Sequence, residues 1–347
     1  MAEDNSLGAI EQISVHRVGN KANEEGMVLT ADPLKLEWQL TDALQIYFQA
    51  PLKTEEFYKL YHESELQLNE VYSFVKKIFD DPENTHEQSV KLAKHLFECS
   101  THPNIKGGEF YTVFFRHCLL NEELVDAVGL FKSENKDTFL KVNPEGENFV
   151  INTHEGINID KLDKGCIIFN TNADDGYLVN VVDNTNKQVE ARYWIDDFLQ
   201  LRQMEDAYFH TQSVMAMAKS FITKELPQQF EVEKADQADL MNRSIKFFKE
   251  QESFNMNDFE AEVIVQPEVI SQFQQYKHDY QQEREMYVPD AFDISEKAVK
   301  KKQGTFKSVI KLDKNFSVYV HGDRSMIERG EDPDGRQYYK LYYEEER

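Results

Sequence analysis

The sequence predicts an α+β fold, and three observations carry that prediction. Apolar, strand-like runs gather between residues 107 and 183, and the run at 110–120 is apolar nearly throughout, as expected of a strand buried on both faces. Two further runs, 166–169 and 177–182, flank Asp175-Gly176, the strongest short-range signal for a β-hairpin. Helical periodicity lies before and after these strands rather than alternating with them, which separates α+β from a doubly wound α/β sheet. The expected architecture is a mainly antiparallel sheet with flanking helices, then a helical region ending in a small β unit. The expected domains are an N-terminal α+β domain over 1–189 and a mainly helical domain with a C-terminal β unit over 190–347.

Residues 10–18 alternate loosely and read as a first strand, with 19–26 as its turn and 27–30 as a return strand. Thr41 or Asp42 caps a short helix carrying Leu44, Ile46, Tyr47 and Phe48. Thr54 reads as the N-cap of a longer helix, with Glu55 and Glu56 in its positive first turn. Phe57, Leu60, Tyr61, Leu68, Val71, Tyr72, Val75, Ile78 and Phe79 then recur at spacings of three and four, mostly on one face. Pro82 ends that helix, because proline disfavours helical geometry in the residue before it. A third helix runs over about 86–100. Strands at 110–120, 124–131, 138–142 and 148–152 join the 164–182 hairpin in one sheet.

From 193 to about 287 the pattern is almost wholly helical, with Pro227 between one long helix and a second at about 234–253. Pro267 stands at a helix start, where its missing N–H costs nothing. Residues 288–304 are polar and lysine-rich. Strand signal returns at 306–312, 316–320 and 338–343, with Pro333-Asp334-Gly335 as a turn.

Composition narrows the functional classes. Forty per cent apolar and 12% aromatic residues supply real cores and exclude wholesale disorder. No apolar run approaches the roughly 20 residues of a membrane span, and residues 1–6 lack the apolar segment of a secretory signal. Cys99, Cys118 and Cys166 are sparse and odd in number, and the latter two sit in apolar runs, as buried thiols of a reducing cytoplasm would. The expected location is therefore cytoplasmic. Sixty-three acids against 39 Lys and Arg give a net charge of −24, which repels nucleic-acid phosphates over long range. One segment runs against that balance: 297–314 holds seven lysines and a single acid, Asp313.

The order of the central segment, KGCIIFNTNADDGYLVNVVDNTNKQVEARYWIDDFL at 164–199, resembles the bacterial nucleoid-associated (NdpA-like) family. The likeness extends upstream through IEQISVHRVGNK at 10–21 and Gly107-Gly108-Glu109-Phe110, and downstream through the helix at 204–221. The resemblance implies nucleoid association and binding of double-stranded DNA. It carries over no DNA-contacting residue and no catalytic signature.

His95, Cys99 and His102, with His86 nearby, have spacings that suit a zinc site on a helix, but His102 precedes Pro103 and no second pair completes the set. No GxGxxG, GxxxxGK[ST] or GxSxG motif occurs. Asn170, Asn172, Asp174 and Gly176 fit a hairpin turn better than a calcium loop, since no glutamate closes the site. Asp290, Glu296 and Lys297 lack the strand context of a nuclease trio. Loop 321–324 (His321 to Arg324) reads as a solvated turn, and the tyrosines at 338, 339, 342 and 343 as an edge strand. Arg116 and His117 interrupt a buried strand and require a partner or an interface.

Two functions from different classes follow. The first is a non-enzymatic nucleoid-associated protein binding double-stranded DNA with little sequence specificity. Its expected contacts are Lys297, Lys300, Lys301, Lys302, Lys307, Lys311 and Lys314 on an exposed connector, with no catalytic residue, metal or cofactor. The alternative is an acidic protein-interaction module of DNA-maintenance or defence machinery, using segment 225–290 with its 15 acids and six basic residues. A homodimer is expected from the aromatic content, the amphipathic helices after Tyr193 and the unpaired Arg116-His117.

Overall fold

The computed structural model describes residues 5–185, 193–321 and 324–345. Its chain contacts divide into two units, 1–204 and 205–347. The boundary expected at 189 lies outside the described residues; the division at 204 places the short helix Trp194–Leu199 and the strand after it with the first unit.

The first unit is built on an eight-stranded antiparallel sheet. Its elements are β1 (Ala9–Val18), β2 (Met27–Val28), α1 (Trp38–Phe48), β3 (Tyr58–Leu60), α2 (Glu70–Asp80), α3 (Thr85–Cys99), β4 (Gly108–Leu120) and β5 (Glu123–Ser133). There follow β6 (Asp137–Glu145), β7 (Asn148–Gly156), β8 (Lys164–Phe169), β9 (Leu178–Asp183) and β10 (Leu201–Gln203). The strand order is β10-β3-β9-β8-β5-β4-β1-β2. Strand alternation feeds two cores. Phe110 and Phe114 of β4, Val128 and Leu130 of β5, and Cys166 and Ile168 of β8 face α2, α3 and Trp194. Tyr111, Val113 and Phe115, Ala127 and Phe131, and Ile167 and Phe169 face Tyr47 and Phe48 of α1. The central strand is thus buried on both faces, as its apolar run required.

Three expectations are corrected here. The helix expected from Thr54 to Phe79 is only its last third. Residues 58–60 form β3, because their backbone pairs with β10 and β9, and those ladder bonds outweigh a helical spacing of Phe57, Leu60 and Tyr61. The helix proper starts at Asn69, whose side chain accepts from the Tyr72 N–H and donates to the carbonyls of Tyr61 and Leu199. The strands at 138–142 and 148–152 exist, but β6 and β7 form a separate two-stranded ribbon outside the sheet. Finally, β8 and β9 pair as expected, yet their connection is an eight-residue loop with a 3-10 turn rather than a tight Asp-Gly turn. Gly176 is still required: its φ is +94°, and a Cβ there would lie 2.0 Å from the Leu60 carbonyl oxygen.

Arg116 and His117 fall at a bulge between Phe115 and Cys118 that takes them out of the β4–β5 ladder, while Arg116 still pairs with Ala9 of β1. Arg116 is paired with Glu11 (2.7 Å) and Asp126 (2.6 Å), and Asp126 also accepts from the His117 backbone N–H. The charge is satisfied within the chain, so it is no argument for a subunit interface.

The second unit contains α4 (Ala207–Ser220), continued by wide turns into α5 (Leu226–Gln229), then α6 (Lys234–Glu250), β11 (Ser253–Asn255), α7 (Met256–Phe259), α8 (Pro267–Arg284), β12 (Ala291–Asp293) and α9 (Glu296–Lys302). Their apolar faces close on a single core, with Phe221, Phe247, Phe248, Phe254, Phe259 and Phe273 in mutual ring contact. Two hairpins end the unit, β13 (Val309–Leu312) with β14 (Phe316–Tyr319), and β15 (Ile327–Glu331) with β16 (Gln337–Leu341). Ile310, Val320 and Ile327 pack on Ala235 and Ala238 of α6. Among the described residues no helix is long and apolar enough to cross a membrane.

Candidate nucleic-acid interface

The lysine run is not a bare connector; half of it is a docked helix. Ser295 caps α9, its Oγ accepting from the Ala298 N–H at 3.3 Å. Glu296 occupies the first turn and Lys300, Lys301 and Lys302 the last, both favourable to the helix dipole. Ala298 and Val299 are buried and hold the helix to the unit. At 100° per residue this turns Lys297, Lys300 and Lys301 together onto the opposite, exposed side. Lys302 falls on the flank of Ala298 and is half-buried.

The other lysines sit on the segment that follows. Lys307 is exposed between buried Phe306 and Ser308. Ile310 points into the contact with α6, so Lys311 alternates outward, and Lys314 lies in the exposed β13–β14 turn. The Lys300 ammonium is 3.8 Å from Glu296, with both groups largely exposed. Such a pair contributes little and yields easily to a phosphate. Lys301 lies 5.7 Å from the Tyr208 ring centroid.

The competing sites dissolve into structure. His95 engages Glu70 through Nδ1 (2.5 Å) and the Phe198 carbonyl through Nε2 (3.1 Å). The Cys99 thiol donates to the Asp197 carbonyl, and burial pushes it up to about 12. Among the described residues no group of three His, Cys, Asp or Glu side chains can hold a metal ion. Asp290 accepts from Lys277, away from the nuclease role considered for it. Of the loop at 321–324, residues 322 and 323 lie outside the described residues. Arg324 is a staple, bonded to Asp236 (2.6 Å) and Glu233 (2.7 Å) at the start of α6. Tyr338, Tyr342 and Tyr343 are exposed, and Tyr339 packs beneath α6.

Two features escaped the sequence reading. Lys132 and Lys164 are fully buried in the first unit. Lys132 Nζ donates to the Lys106 carbonyl (2.7 Å), Glu134 (3.1 Å) and the Tyr193 hydroxyl (2.9 Å), and that hydroxyl donates to Glu134. Lys164 Nζ bonds Asp183 at 2.7 Å and also Thr185. Two ammonium groups and two carboxylates therefore balance in the interior, and burial lowers the Lys132 pKa. The second feature is a polar cleft of about 400 Å³ lined by Asn257, Glu260, Gln274, Lys277, His278 and Asp290. Glu260 accepts from Gln274 through Oε2 (3.0 Å), its other oxygen is buried without a hydrogen bond, and burial raises its pKa.

Set beside known families, the model for the nucleoid-associated protein YejK family matches residues 14–337, spanning both units. The chain belongs to this family. A comparison with curated proteins finds no match. The match begins within β1, runs through the helical unit and β13–β15, and ends at the first residue of β16, so the lysine surface of α9 and β13–β14 lies inside the matched region.

Proposed function

We propose that this chain is a non-enzymatic, cytoplasmic DNA-binding protein of the nucleoid, which holds duplex phosphates with the lysines of α9 and the β13–β14 hairpin. The observation that carries the reading is the placement of Lys297, Lys300 and Lys301 on one exposed helix face, in a chain whose charge elsewhere is strongly acidic. Lysines are compact point charges without base-edge geometry, so they anchor the backbone and leave sequence unread. The acidic remainder confines contact to this face and makes affinity steeply salt-dependent.

The test is duplex binding by fluorescence anisotropy across a salt series. Each phosphate contact adds about −0.9 to the slope of log affinity against log salt. A K297E/K300E/K301E variant should bind more weakly, and its slope should flatten by up to about 2.7. Affinity unchanged by the triple substitution would remove the assignment. The acidic-module reading rests on the Glu260 cleft and the acids of 225–290, which suit a cationic side chain of a protein partner. Absence of wild-type duplex binding at low salt would favour it.

A further inference from the structure

The β13–β14 hairpin carries a second kind of exposed chemistry beside its lysines. Its register pairs Val309 with Tyr319 and Lys311 with Ser317. The Val320 N–H donates to the Ser308 carbonyl at 2.8 Å, which carries the same register on to Lys307 and His321. Alternation then divides the hairpin into two faces. Ile310 and Val320 are buried against α6, while Lys307, Lys311, Ser317, Tyr319 and His321 are exposed on the other side. Asn242 of α6 fixes this orientation: it donates to the Val320 carbonyl at 2.9 Å and accepts from the Ser308 hydroxyl. No acid occurs at positions 307, 309, 311, 317, 319 or 321, and Asp313 is confined to the turn.

On the exposed face the rings of Tyr319 and His321 stand nearly parallel, with planes 14° apart and centroids 6.5 Å apart. Tyr319 is 65% exposed. The spacing follows from the strand, whose two-residue repeat is about 6.6–6.8 Å. Stacked bases rise by about 3.4 Å per step, so one base sandwiched between two rings takes about 6.8 Å in all. Two aromatic residues that alternate on one strand therefore stand at the separation a single flat base needs.

We infer that Tyr319 and His321 clamp one unpaired base of single-stranded DNA, with Lys307 and Lys311 holding the phosphates on either side. The inference rests on the DNA reading for the lysines and adds the structural class of DNA that the hairpin selects. Lys307 lies across from His321, and Lys311 is a diagonal neighbour of Tyr319, so each ring has an ammonium beside it for the phosphate of a stacked nucleotide. Stacking is indifferent to base identity, because every base has a π-face. In an intact duplex each base lies inside the stack, and only phosphates reach the hairpin. A gap, a tail or a melted stretch uncovers the base faces that the clamp takes.

The test compares an intact duplex with the same duplex carrying a single-stranded oligo(dT) tail, by fluorescence anisotropy at fixed salt. The wild type should bind the tailed form more tightly by about tenfold, within the range for one stacked base. Y319A and H321A should each remove most of that gain and leave affinity for the intact duplex unchanged. Y319F should keep it, because the ring and not the hydroxyl stacks. Both positions are exposed, so circular dichroism should not change. A 2-aminopurine in the tail should be quenched by the wild type and by Y319F but not by Y319A. A tail advantage that survives both alanine substitutions overturns the clamp. So does equal wild-type affinity for tailed and intact duplex, an outcome that leaves the duplex reading standing. Tighter binding of an oligo(U) tail than of oligo(dT) would assign the clamp to RNA and overturn the DNA assignment. Absence of binding to either DNA at low salt would remove both readings together.

Discussion

Lys132 and Lys164 in the first unit and Lys297, Lys300 and Lys301 in the second carry the same ammonium group to opposite uses. The first pair has no solvent contact, and its protons are consumed by Glu134, Asp183, Tyr193 and a backbone carbonyl. The second set stands on a helix whose opposite face is anchored by Ala298 and Val299. Burial and partner geometry, rather than residue type, separate a lysine that serves the fold from one that stands at the surface.

The sharpest way to break this contrast is to delete a buried ammonium. Lys132→Met removes the ammonium that bonds Glu134 and the Tyr193 hydroxyl, leaving Glu134 only Lys164 at 4.0 Å, and should cost about 3–5 kcal/mol in urea unfolding. The affinity of the molecules that still fold for duplex should be unchanged. A stability loss below about 1 kcal/mol would show that the interior pair is not the structural half of the comparison.

A second buried group titrates in an accessible range. His16 Nδ1 accepts from the Thr30 N–H at 3.2 Å, so Nε2 carries the proton and donates to the Ser89 hydroxyl at 2.8 Å, which itself donates to the His86 carbonyl. Burial, with His86 adding to it, lowers the His16 pKa to about 4. The unfolded imidazole protonates near 6.5 and the folded one only near 4, so stability is full above about pH 6.5 and is lost as pH falls toward 4. Between pH 7 and pH 5 the wild type should lose about 2 kcal/mol more than His16→Gln. Equal losses would show that folding does not lower the pKa of the imidazole.

The smallest effect belongs to the exposed set. Lys300→Gln should change stability by less than about 0.5 kcal/mol, since its pair with Glu296 is solvated. The same change should reduce the salt slope of duplex binding by about 0.9. A stability loss of the size expected for Lys132 would erase the distinction between the two lysine classes.

Much of the fold was legible in the sequence where one signal sufficed. The apolar run of β4, the β8–β9 pairing and the helix after Pro267 each followed from local pattern. β3 did not, because its ladder partners lie some 120 and 140 residues away, and Phe57, Leu60 and Tyr61 satisfy a helical period equally well. The ribbon strands were visible as strands, but apolar residues that belong in a core gave no sign that they would stand outside one. For the candidate site, the lysine run was legible in position and not in form: Ser295 as a cap and Ala298-Val299 as an anchor are too short a pattern to outweigh five flanking polar residues. The buried lysines left only a faint trace, a single Lys132 after the apolar run of β5, because Tyr193 and Asp183 reach them from distant segments.

The position of β3 between β9 and β10 also sets a timetable for synthesis. Residues 58–60 leave the ribosome long before either neighbouring strand exists, and their place in the sheet is closed only when residue 203 has been added. At about 5–20 residues per second that interval is on the order of ten seconds. During it the segment carries unpaired backbone and the buried side of Leu60 into an open solvent. In the finished sheet the outermost strands β2 and β10 are only two and three residues long, which offers little length at either end for another chain to pair with. The nascent chain thus passes through an interval in which β3 has no ladder partner, and a slowed ribosome between codons 60 and 203 would lengthen it.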